Sequence, residues 1–186
     1  MRYPPAETAE KHRRILEEAS RLFRERGFAG VSVSEIMKAT GLTHGPFYNH
    51  FASKEALMAE ALADLSCKTL ADFDRILAEE GIAAALDLYL SRHHVDHAGA
   101  GCLMTALAPD AAREPGTRAA FTSHVKGIVD RLVRVLAGKR PEPADPRTEA
   151  LLALSAMVGA VVLARAVDDP ALGDELLAAT RRGLAD

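Results

Sequence analysis

Apolar residues recur with the period of an α-helix along almost the whole chain, and no other feature limits the possible folds as strongly. In the first segment they stand at i, i+1, i+4, i+7 and i+8: Ile15, Leu16, Ala19, Leu22 and Phe23. No segment shows the apolar–polar alternation of a half-buried strand, and the sequence contains no internal repeat. The sequence therefore predicts an all-α fold of about nine helices.

Capping residues place the boundaries of these helices. Gly27 is suited to end the first helix in the left-handed conformation. Ser32 and Glu35 form the capping box of a short second helix, and Ser53 is a good N-cap for a long helix that runs to about residue 78. Further helices are predicted over 81–97, 102–115, 117–137, 147–167 and 170–182, with a polar, proline-rich connector at 139–146. Asp145-Pro146 and Asp169-Pro170 each have the pattern of an N-cap followed by proline at the first helical position.

Two short helices, over about 33–39 and 44–50, are separated by a turn that contains Gly41. Glycine adopts a positive φ without strain, Leu42 can enter the small core, and Thr43 can cap the following helix. This spacing is typical of a helix-turn-helix.

The second of these helices begins with residues that are poor helix formers. Pro46 falls in the first turn, where its missing amide loses no partner, and Gly45 lets the helix end approach a surface closely. Free N–H groups and the helix dipole attract phosphate at such an end. Tyr48 can donate to a phosphate, and Asn49 and His44 can reach phosphates or base edges. The alternative is a tight helical corner inside an enzyme, with these side chains as ordinary surface residues.

The segment "GFAGVSVSEIMKATGLTHGPFYNHFASKEAL", residues 27–57, resembles the signature of the TetR family of transcriptional regulators. The matching positions are Gly27-Phe28, Ser32, Ile36, Gly41-Leu42-Thr43, Tyr48, Phe51 and Lys54. The resemblance covers about residues 8–60.

The resemblance implies that residues 1–52 form a DNA-binding domain and residues 53–186 a helical ligand-binding and dimerisation domain, coupled through the long helix. It further implies a double-stranded DNA operator and a homodimer. Phosphate contacts would come from Thr43, Tyr48, His50 and Lys54, joined by Ser32 and Ser34, while His44 and Gly45 would approach bases. Pro46 stands where the family often has a small residue.

The helix over 147–167 is apolar on all sides, and its small residues Ser155, Ala156, Gly159 and Ala160 allow close helix packing. Together with the last helix, this predicts a homodimer through about residues 147–182. A dimer also suits two DNA half-sites roughly 34–36 Å apart. The alternative is a buried central helix in a monomer.

The stretch "RHHVDHAGAGC" places His93 and His97 four residues apart, with Cys102 nearby. Such residues can bind a transition metal, but no second ligand pair at characteristic spacing is present, which favours pocket histidines and no metal. Cys102 precedes a helix start, where the dipole can lower a thiol pKa, so a redox sensor is one hypothesis. A small buried residue is the other.

The resemblance also implies an effector cavity between the helices that follow the long helix. Its predicted wall contains Leu86, Tyr89, His93, His97, Cys102, Met104, Leu107, Phe121, Val125 and Ile128. A small apolar or aromatic molecule bound there would release a repressor from its operator.

The formal net charge of −3 gives little support to nucleic-acid binding, but the charge is unevenly distributed. Residues 1–60 have nine Lys/Arg against eight Asp/Glu, whereas residues 61–186 have fourteen against eighteen. We therefore expect an anionic partner to meet the N-terminal third.

Two cysteines are too few for a disulfide framework, and no secretory leader opens the chain. The longest uncharged run, residues 150–164, is shorter than the roughly 18 residues that a membrane-spanning helix needs. We expect a cytoplasmic protein with no membrane partner.

The sequence contains no phosphate-binding GxxxxGK[ST] loop, HExxH motif or nucleophile elbow. These absences predict that the protein is not an enzyme and has no cofactor. Two alternatives remain open: an all-α small-molecule-binding protein or enzyme with a degenerate helix-turn-helix, or a metal or redox sensor of the same fold.

Overall fold

The computed structural model describes residues 5–42, 45–137 and 145–185. Within these ranges it contains no strand, which confirms the predicted all-α fold. Thr43, His44 and most of the 139–146 connector lie outside the described residues, so the predictions for them stay predictions.

Nine α-helices occur in the described part of the chain, joined in places by short 3-10 helices. They are α1 (Pro5–Arg26), α2 (Val33–Ala39), α3 (Lys54–Glu79), α4 (Gly81–Tyr89), α5 (Arg92–Asp96), α6 (Leu103–Arg113), α7 (Arg118–Leu136), α8 (Pro146–Ala166) and α9 (Pro170–Ala185). The 3-10 helices are Gly45–Asn49, Ala98–Ala100 and Pro115–Thr117.

The predicted capping residues that lie within the described ranges perform the functions that the sequence indicated. The Ser32 hydroxyl accepts from the Glu35 N–H while the Glu35 carboxylate accepts from the Ser32 N–H, which completes the capping box of α2. Ser53 caps α3 by accepting from the Ala56 N–H at 3.2 Å, and Asp145 caps α8 by accepting from the Arg147 N–H. These contacts satisfy amides that have no partner inside the helix.

Gly41 has φ +69° and ends α2, and two backbone hydrogen bonds run back from the turn to the last turn of the helix. Its own N–H donates to the Lys38 carbonyl, and the Leu42 N–H donates to the Met37 carbonyl, both at 3.0 Å. This is the Schellman geometry, which favours glycine because other residues are strained at positive φ. Leu42 packs against the main core, so the predicted turn is confirmed.

The segment predicted as an α-helix over 44–50 is instead a five-residue 3-10 helix, Gly45–Asn49. Pro46 has no N–H to donate, and the segment is too short for a regular ladder of i to i−4 bonds. The His50 and Phe51 amides both donate to the Phe47 carbonyl, at 2.9 and 3.0 Å, and these bonds end the segment.

The predicted continuous helix from Gly81 to His97 was wrong. It divides at Leu90, where α4 ends, and Ser91 begins α5 by accepting from the His94 N–H at 3.2 Å. Ser91 also donates to the Leu88 carbonyl at 2.7 Å, so one hydroxyl joins the two helices. His93, predicted to lie on the apolar stripe of one continuous helix, is therefore exposed, whereas His94 is buried.

One buried apolar cluster extends from α1 and the helix-turn-helix through α3 into α6, α7 and α8. It contains Phe23, Phe47 and Leu57 from the N-terminal part and Leu103 and Leu132 from the C-terminal part. A second cluster joins α4, α5, α8 and α9. The helix-turn-helix is therefore packed directly on the helices that form the rest of the molecule.

Among the described helices, only α8 is long and apolar enough to cross a membrane, and this criterion rests on length and composition. The core helix of a globular protein meets it as well, so it is weak evidence for a membrane segment.

Candidate nucleic-acid interface and ligand cavity

The 3-10 helix after the turn presents polar side chains to solvent and apolar ones to the core. Phe47 and Phe51 are buried, whereas Tyr48 is 65% exposed and Asn49 is exposed. The Phe47 ring meets the Tyr48 ring edge to face at 5.2 Å, which orients the phenol outward. Tyr48 and Asn49 can therefore reach a groove or a phosphate.

The start of α2 lies on the same polypeptide motif and is also accessible. Ser32 and Ser34 are exposed, although the Ser32 hydroxyl already takes part in the capping box. Hydrogen bonds from the Ser32 N–H and hydroxyl, with a contribution from Arg26, lower the pKa of Glu35 to about 2. The Glu35 carboxylate therefore stays charged and holds the α2 N-terminus in place.

His50 is half-buried beside His12, with ring centroids 5.8 Å apart. Partial burial, together with the neighbouring His12 and Lys11, lowers the pKa of His50. The imidazole is therefore mainly neutral at pH 7, so it would meet a phosphate as a hydrogen-bond donor rather than as a cation.

Lys54 is predicted to contact phosphate, and in the structure its ammonium group also makes a hydrogen bond within the protein. Its Nζ donates to the Phe28 carbonyl at 2.6 Å, which fixes the start of α3 to the beginning of the α1–α2 connection. Arg14 makes a similar contact with the turn, since its Nη2 donates to the Thr40 carbonyl at 2.6 Å. Two cations thus hold the motif to α1 and α3.

A cavity of about 530 Å³ lies between α3, α4, α7 and α8, with the α5–α6 connection as one wall. Its lining is mainly apolar, with Leu65, Phe73, Ile128, Leu154 and Met157 among the contributors. Volume and lining are in the range of small-molecule sites in proteins.

Polar groups from several helices converge on this apolar lining. His94 is buried, and its Nδ1–H donates to the Tyr89 carbonyl at 2.7 Å while its Nε2 accepts from the Cys102 N–H at 2.9 Å. A carbonyl only accepts and an amide only donates, so these contacts fix one neutral tautomer. Burial lowers the pKa of His94, which agrees with a neutral ring.

Arginines connect the cavity wall to the surrounding helices. The Arg165 guanidinium, from α8, donates to the Val95 carbonyl at 3.0 Å, the Thr105 hydroxyl at 2.9 Å and the His94 carbonyl at 2.6 Å. Arg24, from α1, donates to the Gly101 carbonyl at 2.8 Å. The α5–α6 connection is therefore held from both sides.

The comparisons with known proteins agree on one family. The family model of the bacterial regulatory proteins, tetR family, matches residues 15–61. A crystal structure of a TetR transcriptional regulator from Chloroflexus aurantiacus is 26% identical, with a TM-score of 0.79 and coverage of 97% of both chains. Residues 15–61 thus have the helix-turn-helix of the TetR family, and the chain as a whole has the fold of TetR-type regulators.

Two curated relatives are similar over smaller parts of the chain. The HTH-type transcriptional repressor AcnR of Corynebacterium efficiens is 28% identical over 73% of this chain and 68% of its own. The uncharacterized HTH-type transcriptional regulator YdgC of Bacillus subtilis is 38% identical over 39% of this chain and 37% of its own. This chain thus spans well under half of the length of YdgC.

Six of the ten residues predicted for the TetR-type effector cavity line the cavity: Tyr89, His93, His97, Cys102, Met104 and Ile128. The other four do not belong to its wall. Leu86 packs in the second core cluster, Leu107 is buried in the main core, and Phe121 and Val125 pack on the edge of that core. A shared helical face predicts that these side chains meet one cavity, but these four pack against neighbouring helices instead.

His93 and His97 are exposed and lie with their rings stacked at 4.2 Å. No group of three or more His, Cys, Asp or Glu residues that could hold a metal occurs in the described ranges. The buried histidines of the cavity are His94 and His124, which the sequence reasoning missed. For His124 a signal existed, because it lies four residues before Ile128 on the apolar stripe of α7.

His124 is completely buried, and its Nδ1 lies 3.0 Å from the Ser66 hydroxyl. Burial, with a smaller contribution from Arg131, lowers the pKa of His124 from 6.5 to about 4. The ring is therefore neutral in the folded protein over the whole physiological range.

This lowered pKa predicts a pH-dependent stability. Between pH 6.5 and about 4 the unfolded chain binds a proton at His124 that the folded protein does not, so the free energy of unfolding falls as the pH falls. At the acid end the loss from this residue is about 3 kcal/mol. Urea denaturation between pH 6.5 and 5 measures the slope, which we expect to be smaller in the Ser66→Ala/His124→Phe double variant. Equal slopes in the two proteins would show that His124 titrates normally.

Proposed function

We propose that this protein is a ligand-responsive transcriptional repressor, not an enzyme, that binds operator DNA as a homodimer in the cytoplasm. Residues 1–52 would form the DNA-binding domain and residues 53–186 the ligand-binding and dimerisation domain. The observation that carries the proposal is the exposed Tyr48–Asn49 pair, which follows a helix-turn-helix closed at Gly41. The TetR family match over residues 15–61 supports it.

In this proposal the phosphate contacts come from Tyr48, His50, Lys54 and Thr43, with Ser32 and Ser34 at the start of α2. His44, Gly45 and Asn49 approach the base edges, and Pro46 stiffens the first turn. An exposed phenol and exposed hydroxyls support these roles for Tyr48 and Ser34.

The homodimer would form through α8 and α9, whose outer face carries exposed large apolar residues. They are Leu151, Leu152, Val162, Leu163 and Leu172. In α8 a Cβ added to Gly159 would meet no atom within 4 Å, so this face is open to a second helix. An exposed apolar face of this kind supports a two-fold symmetric dimer, in which the same face of each subunit is buried.

The effector would act by favouring one of two arrangements of the helices around the cavity. Helix α6 begins at the cavity wall, and its Asp110 accepts from the Phe28 N–H at 3.0 Å. Phe28 is also held by Lys54 at the start of α3, so a displacement of α6 or α3 is transmitted to the helix-turn-helix. A ligand that distinguishes the arrangements by about 1–3 kcal/mol changes operator affinity substantially.

A mobility-shift titration on DNA upstream of the protein's own gene, at several salt concentrations, tests this proposal. We expect binding that weakens steeply with salt, because phosphate contacts release counterions. Tyr48→Phe should weaken binding to all duplexes by about tenfold, the usual effect of losing one hydrogen bond to a charged group. Ser123→Ala, which also removes one exposed hydroxyl but lies on α7 outside the cavity wall, is the control and should leave affinity for DNA unchanged. If the protein ignores every duplex in dilute buffer, the proposal is wrong.

A further inference from the structure

Two buried polar atoms on the cavity wall have no hydrogen-bond partner among the described residues. They are the Tyr89 hydroxyl, from α4, and the His124 Nε2, from α7. Buried polar atoms in folded proteins nearly always have a partner, so an unpaired one needs an explanation. Both belong to the same cavity, which suggests that its occupant supplies the missing partners.

The Ser66 hydroxyl identifies which nitrogen of His124 carries the proton. Ser66 is buried, and the described residues offer its hydroxyl one acceptor, the His124 Nδ1 at 3.0 Å. Ser66 therefore donates to Nδ1, and the proton of the neutral ring lies on Nε2. The low pKa of His124 excludes a second ring proton at pH 7. His124 thus presents an N–H donor to the cavity.

Tyr89 presents an O–H donor. Burial, together with the neighbouring Cys102 thiol, raises the pKa of Tyr89 well above its ordinary value, so the phenol remains protonated. The Cys102 Sγ is a weak acceptor and already accepts from the Met104 N–H at 3.3 Å. A ligand oxygen is a stronger acceptor than this thiol and would take the hydroxyl proton in preference to it.

The other polar groups on the wall do not favour a charged ligand. Arg24 already donates to the Ser20 and Gly101 carbonyls, and Lys68 pairs with Asp64 at 2.8 Å. The Tyr89 hydroxyl and the His124 ring are neutral donors, so a carboxylate placed between them would exchange its hydration for two uncharged hydrogen bonds. A neutral acceptor such as a carbonyl oxygen loses less.

We infer that the effector is an uncharged, mainly apolar molecule with two hydrogen-bond acceptors, such as an aromatic diketone or diester. The Tyr89 hydroxyl donates to one acceptor, and the His124 Nε2–H donates to the other. The inference rests on the proposed function, since it takes this cavity as the effector site.

Three probes of nearly equal shape distinguish the contribution of the acceptors to binding from that of the apolar surface. They are 1,4-diacetylbenzene, 4-isopropylacetophenone and 1,4-diisopropylbenzene, with two, one and no carbonyl oxygens. Equilibrium dialysis against the purified full-length protein, without DNA, gives each affinity. Tyr89→Phe should lower the affinity for the diketone by about fivefold, because it removes one neutral hydrogen bond. The affinity for the hydrocarbon should not change. The Ser66→Ala/His124→Phe double variant should produce a similar loss without leaving Ser66 unpaired.

Thermal unfolding provides a second measurement. Since the Tyr89 hydroxyl has no partner among the described residues, Tyr89→Phe should leave the unfolding midpoint unchanged or raise it. A lowered midpoint would show that the hydroxyl is paired within the protein, which overturns the inference. Full affinity of Tyr89→Phe for the diketone, or failure of all three probes to bind, would also overturn it.

The inference and the proposed function can fail separately. If the protein distinguishes the probes but does not bind DNA, the proposed regulatory function is wrong and the inferred class of ligand stands. If the protein binds DNA but its Tyr89→Phe variant binds the diketone with unchanged affinity, the proposed regulatory function stands and the inferred class of ligand is wrong.

Discussion

Replacing Arg165 with methionine is expected to lower the free energy of unfolding by about 3 kcal/mol. The guanidinium donates three hydrogen bonds, to Val95, Thr105 and His94, and thereby joins α8 to α5 and α6. Methionine keeps much of the apolar stem but leaves two carbonyls and a hydroxyl without their donor. Urea denaturation of the purified variant measures the loss.

The same helix offers a matched control. Arg147 reaches Asp130 at 3.8 Å, and both side chains are well exposed. Exposed ion pairs contribute little, so Arg147→Met should change the free energy of unfolding by no more than about 0.5 kcal/mol. Arg165→Lys should recover part of the loss, because one ammonium cannot reproduce the fork geometry of a guanidinium. Equal effects of Arg165→Met and Arg147→Met would mean that the three contacts do not stabilise the fold.

Loss of Arg165 should also disturb the cavity. The His94 carbonyl accepts from Arg165. The His94 ring donates to the Tyr89 carbonyl and accepts from the Cys102 N–H. There is little free space at this point, since a Cβ on Gly101 would lie 2.7 Å from the His94 ring and 3.0 Å from the Arg165 guanidinium. The α8 helix, proposed for dimerisation, is thus linked to the cavity through one arginine and one histidine.

The helix boundaries could be predicted from the sequence because their signals are local. A cap such as Ser32 with Glu35, or Ser53 with Ala56, links residues three positions apart, and the glycine at a positive φ lies directly after its helix. The same local logic explains the errors. Ser91 is also a serine cap, but the histidines that follow it continued the helical period and hid the break.

The cavity could be predicted only in part, because its wall depends on how distant helices pack. Arg24 and His124 are 100 positions apart, and no pattern in the sequence joins them. Periodicity identified the apolar face of α7, yet Phe121 and Val125 on that face pack on the main core while His124 lines the cavity. The helical period indicates which face is inward and leaves open which neighbour it meets.

The DNA-binding part was more predictable since its fold is a short continuous motif. Its least predictable feature was the 3-10 conformation of Gly45–Asn49, which depends on Pro46 and on the hydrogen bonds to the Phe47 carbonyl. Lys54 shows a second limit of sequence reasoning, because a lysine suited to phosphate also stabilises the motif through Phe28. A Lys54 substitution alone therefore cannot separate DNA contact from folding.

A double substitution on the proposed dimer face, Leu152→Glu with Leu163→Glu, is expected to weaken dimerisation by more than 100-fold. The two side chains are 66% and 51% exposed in the single chain, so the substitutions should leave the protomer folded. In the proposed dimer each carboxylate would be buried among the exposed leucines and valines of this face, and burial of a charge in an apolar interface costs several kcal/mol. Sedimentation equilibrium measures the dissociation constant, and circular dichroism reports whether the helices remain.

The consequence for DNA binding separates this interface from a general effect of added charge. Two half-sites bind together only when one dimer carries both motifs, so the monomeric variant should lose operator affinity by a comparable or larger factor. Ala71→Glu adds a carboxylate at an exposed position of α3 and should leave both dimer and operator affinity within about twofold of the unaltered protein. If the double variant remains dimeric, the partner subunit must bind another face, and the exposed leucines of α8 then require a different partner.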